Sequence, residues 1–211
     1  MSQKGIETRQ RILDTAQDMF LHRGYGGTSL EQLIGSVGLT KGAFFHHFNS
    51  KGDLARHLIQ RFANEGIDTF NEIQAKAERM SNDPLQQLLI IIGLWAELFE
   101  NLTEPFPGCL LATYVYEMQL FEDDVRDIIN SEFLLSRHKL TALIKQISKR
   151  YPPRVKVDPV ALADMFMSTF EGAFILSKSL REPDITVQQL RLYKSFIEAL
   201  YTETHASSQD A

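Results

Sequence analysis

The sequence of 211 residues predicts an all-α protein of nine helices. Apolar residues recur at intervals of three and four along almost the whole chain, which is the spacing of one face of an α-helix. The alternation of apolar and polar residues that is typical of strands does not recur. The pairs Asp83-Pro84 and Asp158-Pro159 each place a capping residue before a proline, as at helix starts. The predicted helices cover residues 6–23, 28–36, 40–48, 51–80, 84–102, 109–118, 122–151, 159–180 and 186–203.

The first predicted helix combines an apolar stripe with a charged face, and the glycine-rich residues 24–27 end it. Its stripe consists of Ile12, Leu13, Ala16, Met19 and Phe20.

Residues 28–51 hold two short helices joined by a tight turn. Thr28 and Glu31 fit a capping box for the first of them, and Thr40 begins the second. Between them Gly38 is free to take a positive φ. Two short helices joined in this way form a helix-turn-helix, whose second helix fits the major groove of DNA. Spacing alone leaves open an ordinary helical pair in a bundle without DNA.

The fourth helix, residues 51–80, connects the small domain to a larger one. Ser50 begins it and Asp53 is the expected reciprocal cap. The break at residues 103–108 separates the fifth helix from the sixth, and Thr186 is the expected cap of the ninth. The predicted domains are residues 1–50, which bind DNA through the motif at 29–48, and residues 51–205. Residues 206–211 are predicted to be a disordered tail.

The composition excludes several classes of protein. A hydrophobic content of 44% with 23% charged residues is ordinary for a soluble globular protein. The chain has no uninterrupted apolar run of about 20 residues, and its first ten residues lack the apolar region of a signal peptide. The single cysteine excludes an internal disulfide. We therefore expect a cytoplasmic protein without a membrane partner.

The net charge of −5 is unevenly distributed. Residues 1–56 contain seven Lys/Arg and five Asp/Glu, a net charge of +2, and the remaining 155 residues carry −7. The segment with the helix-turn-helix is therefore the basic part of an acidic chain, which is compatible with a small DNA footprint.

The chain resembles the TetR family of transcriptional regulators over residues 8–55. The matching residues are, in order, Ile12-Leu13-Asp14-Thr15-Ala16, Phe20, Gly24-Tyr25, Thr28-Ser29-Leu30, Leu33-Ile34, Val37-Gly38-Leu39-Thr40-Lys41-Gly42-Ala43-Phe44, His47-Phe48 and Ser50-Lys51-Gly52-Asp53-Leu54. Length and nine-helix layout agree with the family as well. In the larger domain the resemblance is one of layout only.

The resemblance implies that residues 40–48 are the recognition helix. The residues implied to contact DNA are Thr28, Ser29, Thr40, Lys41, Gly42, Ala43, Phe45, His46, His47 and Lys51. Phe45 stands where the family usually has Tyr, and losing a phosphate-reaching hydroxyl costs on the order of 1 kcal/mol, which His46 or His47 could offset. Gly35 stands where Ala is usual; it either lowers helix propensity by roughly 1 kcal/mol or permits a closer helix approach.

The resemblance also implies that the larger domain binds a small effector and forms a homodimer through its last two helices. The candidate effector residues are Phe62, Phe70, Trp95, Phe99, Cys109, Tyr114, Glu117, Met118, Phe133, His138, Phe166, Phe170 and Phe174. The candidate dimer residues are Phe166, Phe170, Phe174, Leu190, Tyr193, Phe196, Ile197 and Leu200. The alternative for every one of these residues is packing within the chain's own core.

Cys109 and the pair His46-His47 are candidates for thiol reactivity and for metal binding, respectively. Cys109 follows a Pro/Gly turn at a helix start, where a thiolate is favoured, so an oxidant or electrophile sensor and a small buried hydrophobe are both open. His46 and His47 point about 100° apart on a helix and cannot converge on one metal ion. We expect no metal and no cofactor other than an unidentified small-molecule effector.

The sequence thus indicates a homodimeric repressor that an effector releases from a palindromic operator in double-stranded DNA. Alternatives are an activator or a protein-controlled regulator of the same fold. A more distant alternative is a helical small-molecule-binding protein or enzyme without DNA binding. The chain lacks a Ser/His/Asp or Cys/His order, a phosphate-binding glycine loop and metal-ligand spacing, so we expect no enzymatic activity.

Overall fold

The computed structural model describes residues 2–202, and the predicted nine-helix, all-α fold is confirmed over these residues. A one-turn 3-10 helix, Met118–Leu120, follows the sixth α-helix. The α-helices are α1 (Gln3–Arg23), α2 (Leu30–Val37), α3 (Lys41–Phe45), α4 (Lys51–Met80), α5 (Pro84–Glu97), α6 (Leu110–Tyr116), α7 (Asp123–Arg150), α8 (Pro159–Leu180) and α9 (Ile185–Tyr201).

The start of α2 differs from the prediction by one residue. Ser29 Oγ accepts a hydrogen bond from the N–H of Gln32 at 3.1 Å, and Gln32 Oε1 accepts from the N–H of Ser29 at 3.0 Å. The predicted capping box of Thr28 and Glu31 is therefore wrong. Thr28 is fully buried, and its hydroxyl donates to the carbonyl of Gly24 at 2.9 Å. Since both overlapping tetrads fit the capping-box pattern, burial of one hydroxyl decided between them.

The predicted starts of α4, α5 and α8 are confirmed. The N–H of Asp53 donates to Ser50 Oγ at 2.9 Å. Asp83 and Asp158 each accept hydrogen bonds from two backbone N–H groups in the first turn of the helix that follows. The predicted cap of α9 is wrong, because α9 begins at Ile185 and the side chain of Thr186 is buried.

Two predicted helix ends are also wrong. The third helix ends at Phe45 and not at residue 48, and α5 ends at Glu97 and not at residue 102. In both places the chain continues in turns.

The chain packs as two compact units. The first comprises the residues up to Asp68 together with Pro107–Phe133, and the second comprises Thr69–Phe106 and the residues from Leu134 onward. The helices α4 and α7 each contribute residues to both units. The predicted functional boundary at residue 50 stays a prediction, and the predicted disordered tail lies outside the described residues.

The core of the first unit joins α1, α2, α3 and the first half of α4 to α6 and the start of α7. Its fully buried large side chains include Ile12, Phe20, Leu33, Phe44, Phe48, Leu54, Leu58 and Tyr114. The helix-turn-helix therefore shares one apolar core with α6, although the two are far apart in the sequence.

The second unit contains a cluster of aromatic side chains and the paired helices α8 and α9. The Tyr193 hydroxyl of α9 donates to the carbonyl of Leu162 of α8 at 2.9 Å. Aromatic ring centroids 4.7 to 5.9 Å apart connect Trp95, Phe99, Phe106, Phe166, Phe170 and Phe174.

Among residues 2–202, α8 is the one helix whose length and composition would suffice to cross a membrane. About a third of its most apolar stretch, 33%, is buried within the chain. A core or interface helix of a water-soluble protein has the same length and composition, so this is weak grounds for a membrane span.

Substituting Gly35 and Gly38, three residues apart, by alanine should change stability in opposite directions. A Cβ at Gly35 would have no heavy atom within 4 Å, so no close helix approach requires this glycine, and Gly35→Ala should stabilise the protein by about 1 kcal/mol. Gly38 ends α2 with φ +71°, so Gly38→Ala should destabilise it by roughly 1–2 kcal/mol, although its Cβ would also meet open space. Urea denaturation followed by circular dichroism measures both changes. Equal effects of the two substitutions would contradict this account.

Candidate DNA-binding site

The recognition helix α3 is anchored by two buried phenylalanines. Thr40 begins the helix, and its hydroxyl accepts from the N–H of Ala43 at 3.2 Å. Phe44 and Phe48 are 0% and 1% exposed, and their rings lie 5.9 Å apart. Because Phe44 points inward, the first turn of α3 and its outer face are left to solvent.

The turn before α3 follows from the glycine that ends α2. Gly38 adopts the left-handed conformation and donates to the carbonyl of Ile34, to which the N–H of Leu39 also donates at 3.1 Å. On the inner side of α2, Leu33 and Val37 are buried. The two helices of the motif are therefore held by a shared core and by a turn that requires glycine.

Most of the predicted DNA-contacting residues lie on the outer face of this motif. Those that are exposed are Ser29, Thr40, Lys41, Gly42, Phe45 and His46; Ala43 and His47 are half-buried. Phe45 is 41% exposed and contacts Phe44 edge-on, with centroids 5.5 Å apart. An apolar ring on this face has no polar atom to offer a phosphate, as expected from its replacing Tyr.

Thr28 and Lys51 are occupied within the chain instead. The buried hydroxyl of Thr28 is not accessible to a phosphate. The half-buried ammonium of Lys51 donates to the carbonyl of Tyr25 and lies 3.8 Å from the centroid of its ring. Burial lowers the pKa of Lys51, and the nearby charge of Glu117 opposes this shift. The DNA contact predicted for Thr28 is therefore wrong, whereas the one predicted for Lys51 stays a prediction. Both side chains support the turn between α1 and α2.

His46 and His47 lie at the end of α3 with ring centroids 5.4 Å apart. Burial, followed by the charges of His46 and Arg9, lowers the pKa of His47. The guanidinium of Arg9 lies 4.9 Å from the Phe48 ring centroid, a contact between α1 and the motif that the sequence pattern did not indicate. Within residues 2–202, no group of three or more potential metal ligands comes together.

Glu117 is placed where no sequence signal pointed. It was a candidate effector residue, but its carboxylate accepts from the N–H of Tyr25 at 2.7 Å and from the N–H of Gly26 at 3.2 Å. More than 90 residues of chain separate these partners, so only the tertiary structure brings them together.

The candidate effector residues divide between the two units. In the first unit lie Phe62, Cys109, Tyr114, Glu117, Met118 and Phe133. In the second lie Phe70, Trp95, Phe99, His138, Phe166, Phe170 and Phe174. Cys109, half-buried, precedes the first residue of α6. Tyr114 is buried in a stack with Phe121, with ring centroids 4.4 Å apart.

A surface pocket of about 240 Å³ does open in the second unit between α4, α5 and α7. It is lined by Gln74, Glu78, Gln87, Ile91, His138, Lys139, Ala142, Leu143 and Gln146. Of the candidate effector residues only His138 takes part. Trp95, Phe99, Phe166, Phe170 and Phe174 pack against each other, and the ring of Phe70 lies 5.0 Å from the ammonium of Lys139.

The candidate dimer residues are mostly buried within the chain. Phe166, Phe174, Leu190, Tyr193, Ile197 and Leu200 are each at most 7% exposed, and Phe170 is half-buried. Phe196 is 38% exposed. The inner stripes of α8 and α9 are thus buried inside the chain, so only the outer faces of these two helices are open to a partner.

Comparisons with known proteins agree with this geometry. The family model for bacterial regulatory proteins of the tetR family matches residues 12–58, which include the whole motif. The HTH-type transcriptional repressor DhaR of Mycobacterium sp. (strain GP1) is 25% identical over 203 residues, covering 96% of this chain and 97% of DhaR. The uncharacterized HTH-type transcriptional regulator YxaF of Bacillus subtilis (strain 168) is 30% identical over 134 residues, or 63% of this chain and 67% of YxaF.

A crystal structure of a TetR transcriptional regulator from Chloroflexus aurantiacus J-10-FL has the same fold. Its TM-score is 0.77 at 23% identity, with 94% of this chain and 98% of that chain covered. These relatives are transcriptional regulators and not enzymes, as expected from the sequence, and the family binds DNA. The chain belongs to the TetR family of transcriptional regulators.

Proposed function

We propose that this regulator is a homodimeric repressor that binds a palindromic operator and is released by a small-molecule effector in the cytoplasm. The observation that supports it best is the exposed first turn of α3, held outward by the burial of Phe44 and Phe48. The name of the relative DhaR supports repression as the sense of regulation.

The DNA contacts would come from the exposed residues of α3 and from the start of α2. Lys41 is the one cation predicted within the first turn of the recognition helix, and it is exposed. Lysine contributes a point charge to phosphate binding, whereas small residues such as Gly42 let the backbone approach the groove. With few basic groups, affinity would depend on placement of contacts more than on bulk charge.

Dimerisation would use the outer faces of α8 and α9. On α8 an outer stripe recurs at intervals of four and three residues: Ala161, Met165, Ser168, Gly172, Ile175 and Ser179. On α9 the same spacing joins Gln188, Leu192, Ser195 and Ala199. Apolar side chains at or beside these stripes are exposed: Met165 42%, Ile175 56%, Leu176 47%, Leu192 63% and Phe196 38%.

This spacing is that of helices that pack side by side in a bundle. Two helices from each chain would then form a four-helix bundle about a twofold axis. A twofold dimer would present two recognition helices about 34 Å apart, which matches successive major grooves on one face of a palindromic site.

The effector would bind in the second unit. The pocket of about 240 Å³ is smaller than the 300 Å³ or so at which drug-sized sites begin. Six of its nine lining residues are polar but most of the lining surface is apolar, so a small molecule with an apolar body and a few polar groups fits it best. Because α4 lines this pocket and begins next to α3, a displacement of α4 would pass to the DNA-reading helices. Effector and DNA would then oppose each other with a coupling free energy of about 1–3 kcal/mol.

Replacing Gln74 and Gln146 by leucine tests this pocket. A compound that releases DNA equally well from the wild-type protein and from the Gln74→Leu/Gln146→Leu variant would place the effector elsewhere.

Replacing Lys41 by alanine tests DNA reading. With duplexes selected by the wild-type protein from a random library, Lys41→Ala should weaken binding and reduce the slope of log Kobs against log salt by about one phosphate contact. Fluorescence anisotropy at several salt concentrations measures both. The exposed Lys145 of α7 provides the control, because Lys145→Ala should change neither. If the wild-type protein enriches no sequence from the library, DNA reading by α3 is refuted.

Introducing a charge on the proposed dimer face tests the assembly. Leu192→Glu should give a monomer in sedimentation velocity, since a carboxylate would have to be buried in the helix bundle. Leu134→Glu is the matched control, because Leu134 is also exposed, at 57% against 63% for Leu192, but lies on α7. A dimer that survives Leu192→Glu, or that is lost with Leu134→Glu alone, would move the interface to another face.

His47 should make the stability of the first unit sensitive to pH. Burial, with His46 and Arg9, lowers its pKa below the ordinary value of 6.5, so the unfolded chain binds the proton more readily. The contribution of His47 to the free energy of unfolding should therefore be fully present above about pH 6.5. It should decrease as the pH falls from there towards the pKa of His47 in the folded protein. Urea midpoints at pH 8 and at stepwise lower pH should fall less steeply for His47→Gln than for the wild-type protein. If the urea midpoints of the two proteins decrease equally with pH, His47 is not the cause of the pH dependence.

A further inference from the structure

The carboxylate of Glu117 occupies the turn between α1 and α2. One oxygen, Oε2, accepts from the N–H of Tyr25 at 2.7 Å, and both oxygens lie 3.2 Å from the N–H of Gly26. Glu117 directly follows α6. The carboxylate thus ties the end of α6 to the turn that leads into the helix-turn-helix, within the first unit.

Two glycines shape this turn to receive the carboxylate. Gly24 has φ +76°, and a Cβ added there would lie 2.9 Å from Glu117 Oε1. A Cβ at Gly26 would lie 3.1 Å from the same atom. A side chain at either position would displace the carboxylate. Successive backbone N–H groups in such a turn form a concave site for an anion, and here the protein fills it with its own side chain.

Tyr25 is held from its other side by α4. Its carbonyl accepts from the ammonium of Lys51, and its ring packs on that of Phe121 with centroids 4.5 Å apart. The N–H and the C=O of one residue are therefore bonded to two charged side chains, that of Glu117 after α6 and that of Lys51 at the start of α4. Charged partners make the stronger class of hydrogen bond, so the turn has one well-defined position relative to α4 and α6.

The position of this turn bears directly on the DNA-reading helices. The hydroxyl of Thr28 donates to the carbonyl of Gly24, and Ser29 then begins α2. Since α2 and α3 are joined by the short turn at Gly38, the direction of α2 sets that of α3.

We propose that Glu117 is a positioning residue for DNA binding. Its carboxylate holds the turn, and thereby α2 and α3, in the arrangement that reads DNA, without contacting DNA itself. The inference rests on the DNA reading proposed for α3.

The test is Glu117→Gln in the full-length protein. Glutamine offers one acceptor oxygen, which can replace Oε2 opposite Tyr25, but its NH₂ group then faces the N–H of Gly26. The negative charge is also lost, so the remaining hydrogen bonds become weaker. Affinity for the selected duplex should fall about tenfold, with the salt slope unchanged because no phosphate contact is removed. Amide hydrogen exchange at Tyr25 and Gly26 should become faster.

Asp83 provides a matched control in the second unit. Its carboxylate also accepts from two backbone N–H groups, those of Leu85 and Gln86, at 2.9 and 3.0 Å. Asp83→Asn should lower the thermal midpoint and leave DNA affinity within twofold of wild type.

Three results would overturn the proposal. The first is wild-type affinity in Glu117→Gln although exchange at Tyr25 and Gly26 is faster. The second is unchanged exchange at both amides. The third is that Asp83→Asn loses as much DNA affinity as Glu117→Gln when both variants have the same decrease in thermal midpoint. A wild-type protein that selects no duplex contradicts DNA reading itself, and this inference with it, so the two failures can be told apart.

Discussion

The burial of Phe44 in the core of the first unit is the constraint on which DNA reading depends. A helix of five residues has no stability of its own, because nucleating a turn costs more than so few hydrogen bonds return. α3 persists because Phe44 and Phe48 are almost wholly removed from water, which is worth about 2–3 kcal/mol for each side chain. The direction of the exposed first turn is then a consequence of which side chain points inward.

That core is not the property of the helix-turn-helix alone. Tyr114 of α6 lies in it, near Phe20 and Tyr25, and Glu117 bonds to the backbone of the turn after α1. The helix-turn-helix and α6 are therefore packed in one core. A change in α6 has a physical means of reaching α2 through hydrogen bonds and packed rings, and needs no unfolding.

The outer faces of α8 and α9 carry large apolar side chains that the chain itself does not cover. Their inner stripes, with Phe166, Leu190 and Ile197, satisfy the core of one chain, yet large apolar side chains such as Ile175 and Leu192 remain in water. Because α8 carries apolar residues on two faces, its mean hydropathy is as high as that of a membrane helix. In the proposed dimer the partner chain would cover the outer apolar face, and α8 would not lie in a membrane. The same two-sidedness explains why the sequence pointed to these helices but chose mainly the inward residues.

The sequence by itself determined the helical class, the places of most helices and the identity of the DNA-reading motif. These features depend on local properties: the three-and-four spacing of apolar residues, the Asp-Pro starts of α5 and α8, and the glycine at the end of α2. Local pattern could not choose between Thr28 and Ser29 as the cap, because both are followed by a suitable partner three residues later.

Only the tertiary structure decided which polar groups face water and which face the protein. It assigned Lys51 to Tyr25 and Glu117 to the glycine turn, and it divided the aromatic candidates between two cores. Such pairings join residues that are tens of residues apart. Their energy depends on burial and on the position of backbone donors, neither of which is recorded in the order of residues along the chain.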